Sequence, residues 1–77
     1  MLEMNISLGT IESVKNFVGK TSGFDEDFEI VCGKYIIDAK SILGIFSVDL
    51  SKPLLLRIHA EGERLEKIKE AVKEFAV

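Results

Sequence analysis

Residues 39–49 read AKSILGIFSVD, a serine standing directly in front of an apolar burst, Ile42, Leu43, Gly44, Ile45 and Phe46. The burst is too short for a full helix and carries a glycine in its middle. A serine at such a place is a favoured N-cap, because its hydroxyl accepts a hydrogen bond from an amide of the first turn. The stretch therefore predicts a short helix led by Ser41, and a capping role alone would be worth about 1 kcal/mol.

The flanking sequence supplies the elements around that turn. Before it, DFEIVCGKYIIDA (27–39) reads as two strands with a tight turn at Cys32 to Lys34: Phe28, Ile30 and Cys32 alternate ahead of it, and Tyr35, Ile36 and Ile37 follow. After it, Asp49, Ser51 and Pro53 in SVDLSKP mark a loop, and LLLRIHA (54–60) follows as a strand. There, Leu56, Ile58 and Ala60 share one face, while Arg57 and His59 share the other.

The two ends follow the same rules. MLEMNISL alternates, with Leu2, Met4, Ile6 and Leu8 on one face, as in a half-buried strand. TIESVKNFVGKTSGF places Ile11, Val14, Phe17 and Val18 at helical spacing behind the N-cap candidate Thr10, predicting a helix over about 10–21. Gly23 stands where a left-handed C-terminal residue is commonly needed. EGERLEKIKEAVKEFAV (61–77) predicts a closing helix with Leu65, Ile68, Val72 and Phe75 inward. The order is β-α-β-β-α-β-α, an α+β chain with a four-stranded antiparallel sheet and helices packed on one face.

Bulk properties bound the function. At 77 residues the chain is expected to form one domain, 1–77, since a chain of this size buries only about 60% of its unfolded surface. The formal charge of −3, with basic residues scattered and outnumbered, argues against nucleic acid and anionic membrane as partners. The single cysteine, Cys32, excludes an internal disulfide and fits a reducing cytoplasm. It reads as a small apolar residue beside a turn. No charged N-region followed by a long apolar stretch appears and no segment approaches the roughly 18 apolar residues that span a bilayer, so a soluble, unexported chain is expected, and no ligand set for a metal or cofactor is apparent. Asp25, Glu26 and Asp27 read as a solvated turn. Lys15, Lys20 and Lys40 form at most a modest basic patch.

The stretch AKSILGIFSVDL, followed after a loop by a strand, by AEGE (60–63) and by a terminal helix, resembles the HPr family of the bacterial sugar phosphotransferase system, especially its Gram-positive members. The likeness runs from about Phe17 to the end and is sharpest from Lys40 to Ser47. It implies the HPr-like open-faced β-sandwich. It also implies that Ser41 is a regulatory phosphorylation site for an HPr kinase/phosphorylase. Lys40, Ile42, Leu43 and Phe46 would then belong to the surface that docks the kinase or a transcriptional regulator. A phosphate beside the first amides of a helix meets unpaired donors and the positive end of the helix dipole.

The family's phosphocarrier histidine, with its nearby arginine and proline, has no counterpart at the strand–helix junction SLGTIESV (7–14). Thr10 falls near the histidine's place and Glu12 near the arginine's. The chain thus resembles the catabolite-repression HPr-like proteins, which keep the serine and lack the histidine, and reads as a regulatory protein-binding module and not an enzyme. Two alternatives remain at this stage: a divergent phosphoryl carrier using His59, with Arg57 beside it, and an HPr-fold interaction domain without phosphorylation.

Overall fold

The computed structural model describes residues 1–77. Its elements follow the order β1 (Leu2–Ile6), α1 (Ile11–Thr21), β2 (Asp27–Cys32), β3 (Tyr35–Asp38), α2 (Ile42–Phe46), β4 (Leu54–His59) and α3 (Gly62–Val72), ending in a 3-10 turn over Lys73–Phe75. The four strands form one antiparallel sheet in the order β1-β4-β2-β3, so β4 lies between β1 and β2.

Register follows from the alternation of apolar residues. Leu2 and Phe28 face Ile58, Met4 and Ile30 face Leu56, and Ile6 faces Leu54, which puts all of these side chains on one side of the sheet. Ile6, Ile30, Leu56 and Ile58 are fully buried there, beneath Val14 and Phe17 of α1, Ile45 of α2, and Ile68 and Val72 of α3. Phe17 meets Phe75 edge to face, with ring centroids 5.3 Å apart. Thr21 is the one buried polar side chain, and its hydroxyl donates to the Phe17 carbonyl at 3.0 Å.

The opposite face of the sheet carries no helix and mixes charged rows with one largely apolar row, Leu55, Val31 and Ile36. Glu3, Arg57, Glu29 and Asp38 stand in one cross-strand row, with Asp27 opposite His59 in the next. The α+β architecture expected from the sequence is the one observed. The hairpin turn is tighter than its predicted three residues, since Cys32 pairs directly with Tyr35. Gly33, at φ +60°, is the first central residue of a two-residue turn, a place where a side chain would be strained.

Three local expectations are corrected. Gly23 is not left-handed: α1 ends through tightened bonds, with Gly23 N–H donating to Lys20 O and Phe24 N–H to Thr21 O, so no positive φ is required. Ile11 is exposed, because the inward stripe of α1 starts at Val14. The last helix gives way at Lys73 to a 3-10 turn, which lets the chain return to β1, where Ser7 N–H donates to Phe75 O at 2.8 Å and Val77 N–H to Asn5 O at 3.1 Å. No helix is long and apolar enough to cross a membrane.

Candidate functional site

The short helix α2 is built from its two ends. Ahead of it, the Asp38 carboxylate accepts the Lys40 N–H at 2.9 Å and the Asp38 carbonyl accepts the Ser41 N–H at 3.0 Å. This local turn is the kind that aspartate favours. It delivers Ser41 in an extended conformation, φ −95° and ψ 107°, as the N-cap. The Ser41 Oγ accepts the Gly44 N–H at 3.2 Å, and its carbonyl accepts the Ile45 N–H at 3.0 Å. At the far end, the Ser47 hydroxyl and amide both donate to the Gly44 carbonyl, at 2.6 and 3.1 Å.

Gly44 explains why the apolar burst contains a glycine. A Cβ at that position would lie 2.7 Å from Ile37 Cγ2, so α2 approaches β3 more closely than a side chain permits. With that contact fixed, Ile45 is driven fully into the core while Ile42 is half-buried. Leu43 stays 81% exposed and Phe46 41% exposed. A five-residue helix cannot turn all its apolar residues inward, and these two form the exposed remainder.

Lys40 behaves differently from its neighbours. Its ammonium donates to the Phe24 carbonyl at 2.6 Å and lies 5.3 Å from the Phe28 ring centroid, so the chain itself holds the charge. The structure thus groups Ser41, Ile42, Leu43 and Phe46 on α2 and ties Lys40 back to the preceding loop. Lys20 is likewise engaged, by Glu74, which breaks up the basic patch.

His59 lies elsewhere, on the helix-free face at the end of β4. Its Nε2 is 2.6 Å from Glu29 Oε1, and Asp27 stands opposite it in register. Arg57, its neighbour two residues back, donates instead to Glu3 Oε2 at 2.8 Å. His59 shares a concavity with Asp27, Glu29, Asp38 and Lys40, so a phosphoryl group on this imidazole would meet three carboxylates against one ammonium, which is itself turned to the Phe24 carbonyl. At the start of α1, Thr10 Oγ1 accepts the Ser13 N–H at 3.0 Å, and Glu12 adds an acid to the first turn.

Two partnerships escaped the sequence. Asp38 shapes the approach to Ser41, signalled only by an aspartate two residues before Lys40. Glu26 receives a two-pronged contact from Arg64, Nε to Oε2 at 2.7 Å and Nη2 to Oε1 at 2.8 Å. The Arg64 guanidinium lowers the Glu26 carboxyl to about 2. In the loop after α2, the hydroxyl and amide of Ser51 lower Asp49 in the same direction.

Known proteins share this fold. The family model described as the PTS HPr component phosphorylation site matches residues 13–77. HPr-C-His from Thermoanaerobacter tengcongensis is similar at 25% identity with a TM-score of 0.76, over 96% of this chain and 89% of that one. The Bacillus subtilis catabolite repression protein Crh, described as a domain-swapped dimer, is similar at 25% identity with a TM-score of 0.63, over 100% of this chain and 92% of that one. A Mycoplasma histidine-containing phosphocarrier protein shares the fold at 14% identity and a TM-score of 0.70, over 95% and 86%. No curated protein sequence matches the chain.

Proposed function

The chain belongs to the HPr family, and on that premise we propose that it is a regulatory, protein-binding member switched by phosphorylation of Ser41. The observation that carries this reading is the pairing of a capping hydroxyl with exposed apolar residues on one short helix. The Ser41 Oγ already receives one amide of the first turn, and the Ile45 N–H closes onto the Ser41 carbonyl. The amides of Ile42 and Leu43 have no intrahelical acceptor. A phosphate on Ser41 would find these donors, and no acidic side chain stands in the first turn to repel it. It would add a charge of about −2 beside Leu43 and Phe46, altering the surface offered to a partner without unfolding it.

The other end of the argument is the phosphocarrier site. Between Ser7 and Ser13 the chain has no histidine, and its one histidine, His59, is hydrogen-bonded to a carboxylate on the helix-free face. Neither place supplies what a phosphohistidine needs, a free imidazole beside cations or unpaired amides. The partner expected is an HPr kinase/phosphorylase, with a transcriptional regulator as the reader of the modified surface.

The test is incubation with ATP and an HPr kinase/phosphorylase, followed by phosphopeptide mapping. The expected product carries one acid-stable phosphate on Ser41, and Ser41→Ala carries none. If the wild-type chain stays unmodified while an HPr control is phosphorylated, the protein is an interaction domain without this switch.

A further inference from the structure

The sheet has two edges, and only one is closed. The C-terminal segment covers part of β1 through the bonds of Ser7 and Val77 and a bridge between Ile6 and Ala76. β3, the other edge, pairs with β2 alone. Because a two-residue turn closes this hairpin, Cys32 and Tyr35 form its first hydrogen-bonded pair, and the alternation of an antiparallel ladder follows from there. The N–H and C=O of Ile36 and the N–H of Asp38 therefore point away from the sheet. The Asp38 carbonyl is already taken by Ser41.

Such an edge is a template for another strand. Two of its large side chains are exposed, Tyr35 by 70% and Ile36 by 58%. Beside it runs a groove lined by Tyr35, Ile36, Ile37, Ser47 and Val48. At its two ends stand opposite charges, Lys34 and Asp38, neither in an ion pair within its own chain. Ile36 and Asp38 project toward the helix-free face and Tyr35 and Ile37 toward the helices, while Lys34 stands in the turn just ahead of Tyr35.

We propose that β3 pairs with β3 of a second copy of this chain, antiparallel, about a two-fold axis through Ile36. In this register each Ile36 N–H donates to the other Ile36 carbonyl, and the two Ile36 side chains meet on the helix-free face. Lys34 of each copy faces Asp38 of the other, giving two ion pairs. Tyr35 of each copy faces Ile37 of the other, which directs its ring along the groove toward Val48. The segment Lys34-Tyr35-Ile36-Ile37-Asp38 is thus complementary to itself when reversed, which is the requirement of an isologous contact and singles out a second copy as the occupant. A slip of two residues sets Asp38 or Lys34 against Ile36 and loses both ion pairs. A slip of one turns the helical layers to opposite sides.

The strand is short, so association is expected between micromolar and millimolar concentration. Sedimentation velocity across that range should show the wild-type chain passing from monomer to dimer. Lys34→Glu alone and Asp38→Lys alone each place like charges opposite one another at both ends, and each should weaken self-association at least about tenfold. An equimolar mixture of the two variants should restore the dimer, because every altered charge then meets its opposite. Asp38→Lys also removes the acceptor for the Lys40 N–H, so its thermal unfolding is measured in parallel. Should it fail to fold, Ile36→Lys, which puts two like charges on the axis, must remain monomeric. A wild-type chain that is monomeric throughout overturns the proposal. So does a dimer that persists in Lys34→Glu and Ile36→Lys, whether formed by exchange of β1 or through Leu43 and Phe46. A mixture of folded variants that fails to associate overturns the register.

Discussion

Ser41 and Gly44 meet across a single turn of α2, and each limits what the other position tolerates. Alanine at position 41 removes the acceptor of the Gly44 N–H and should cost about 1 kcal/mol in urea unfolding, whereas Ser41→Asp keeps an acceptor at the positive end of the helix and should stay near wild type. Equal losses in both variants would show that the cap contributes nothing. Alanine at position 44 tests the packing. Helix propensity alone favours it by about 1 kcal/mol, but the added methyl collides with a branched Ile37 methyl at 2.7 Å, and overpacking costs about 1–3 kcal/mol. The same methyl would lie 3.3 Å from Ser41 Oγ. A net loss of about 1 kcal/mol is expected for Gly44→Ala, and a variant as stable as wild type would contradict the close approach of α2 to β3.

At the scale of the element, α2 is expected to persist when Ser41 is modified, because a phosphate adds acceptors where amides lack them. In amide spectra of the phosphorylated chain, the large shifts should fall on residues 41–47, with β1, β4 and α3 unmoved. Loss of the α2 signals would mean that the modification melts the helix. Most elements were legible in the sequence because each has one dominant period. The alternation of Met4 and Ile6, or of Leu54, Leu56 and Ile58, has one solution in a sheet with a buried face, and the stripe of Leu65, Ile68 and Val72 has one on a helix. Capping at Thr10 and Ser41 was legible for the same reason, since it depends on residues three apart. What was not legible depends on register. Whether His59 has a partner is decided by β2 lying beside β4, which brings Glu29 within 2.6 Å across thirty positions of sequence. Gly23 was misread because a helix end satisfied by 3-10 bonds leaves no mark in composition.

The molecule as a whole is held by contacts between residues distant in the chain, and one of them gives it a pH signature. Arg64, in the first turn of α3, grips Glu26 just ahead of β2 and lies 6.0 Å from the Phe24 ring. The Glu26 carboxyl is lowered from 4.5 to about 2 in the folded protein. A lowered folded value stabilises the protein above the unfolded value and is lost as pH falls through the folded one. The melting difference between wild type and Glu26→Gln should therefore be constant from neutral pH to about 4.5, shrink below it, and vanish near 2. A difference independent of pH would show that the contact is only packing.

At this scale too stands the contrast on which the proposed function rests: one helix turn capped by the Ser41 hydroxyl, and one histidine bonded to the Glu29 carboxylate. The measurement that tests it most directly is intact mass after two parallel incubations, one with ATP and an HPr kinase/phosphorylase and one with phosphoenolpyruvate and the first enzyme of the phosphotransferase system, each read before and after acid treatment. The account predicts one acid-stable phosphate from ATP and no change from phosphoenolpyruvate. An acid-labile phosphate from phosphoenolpyruvate would contradict it and return the chain to the carriers.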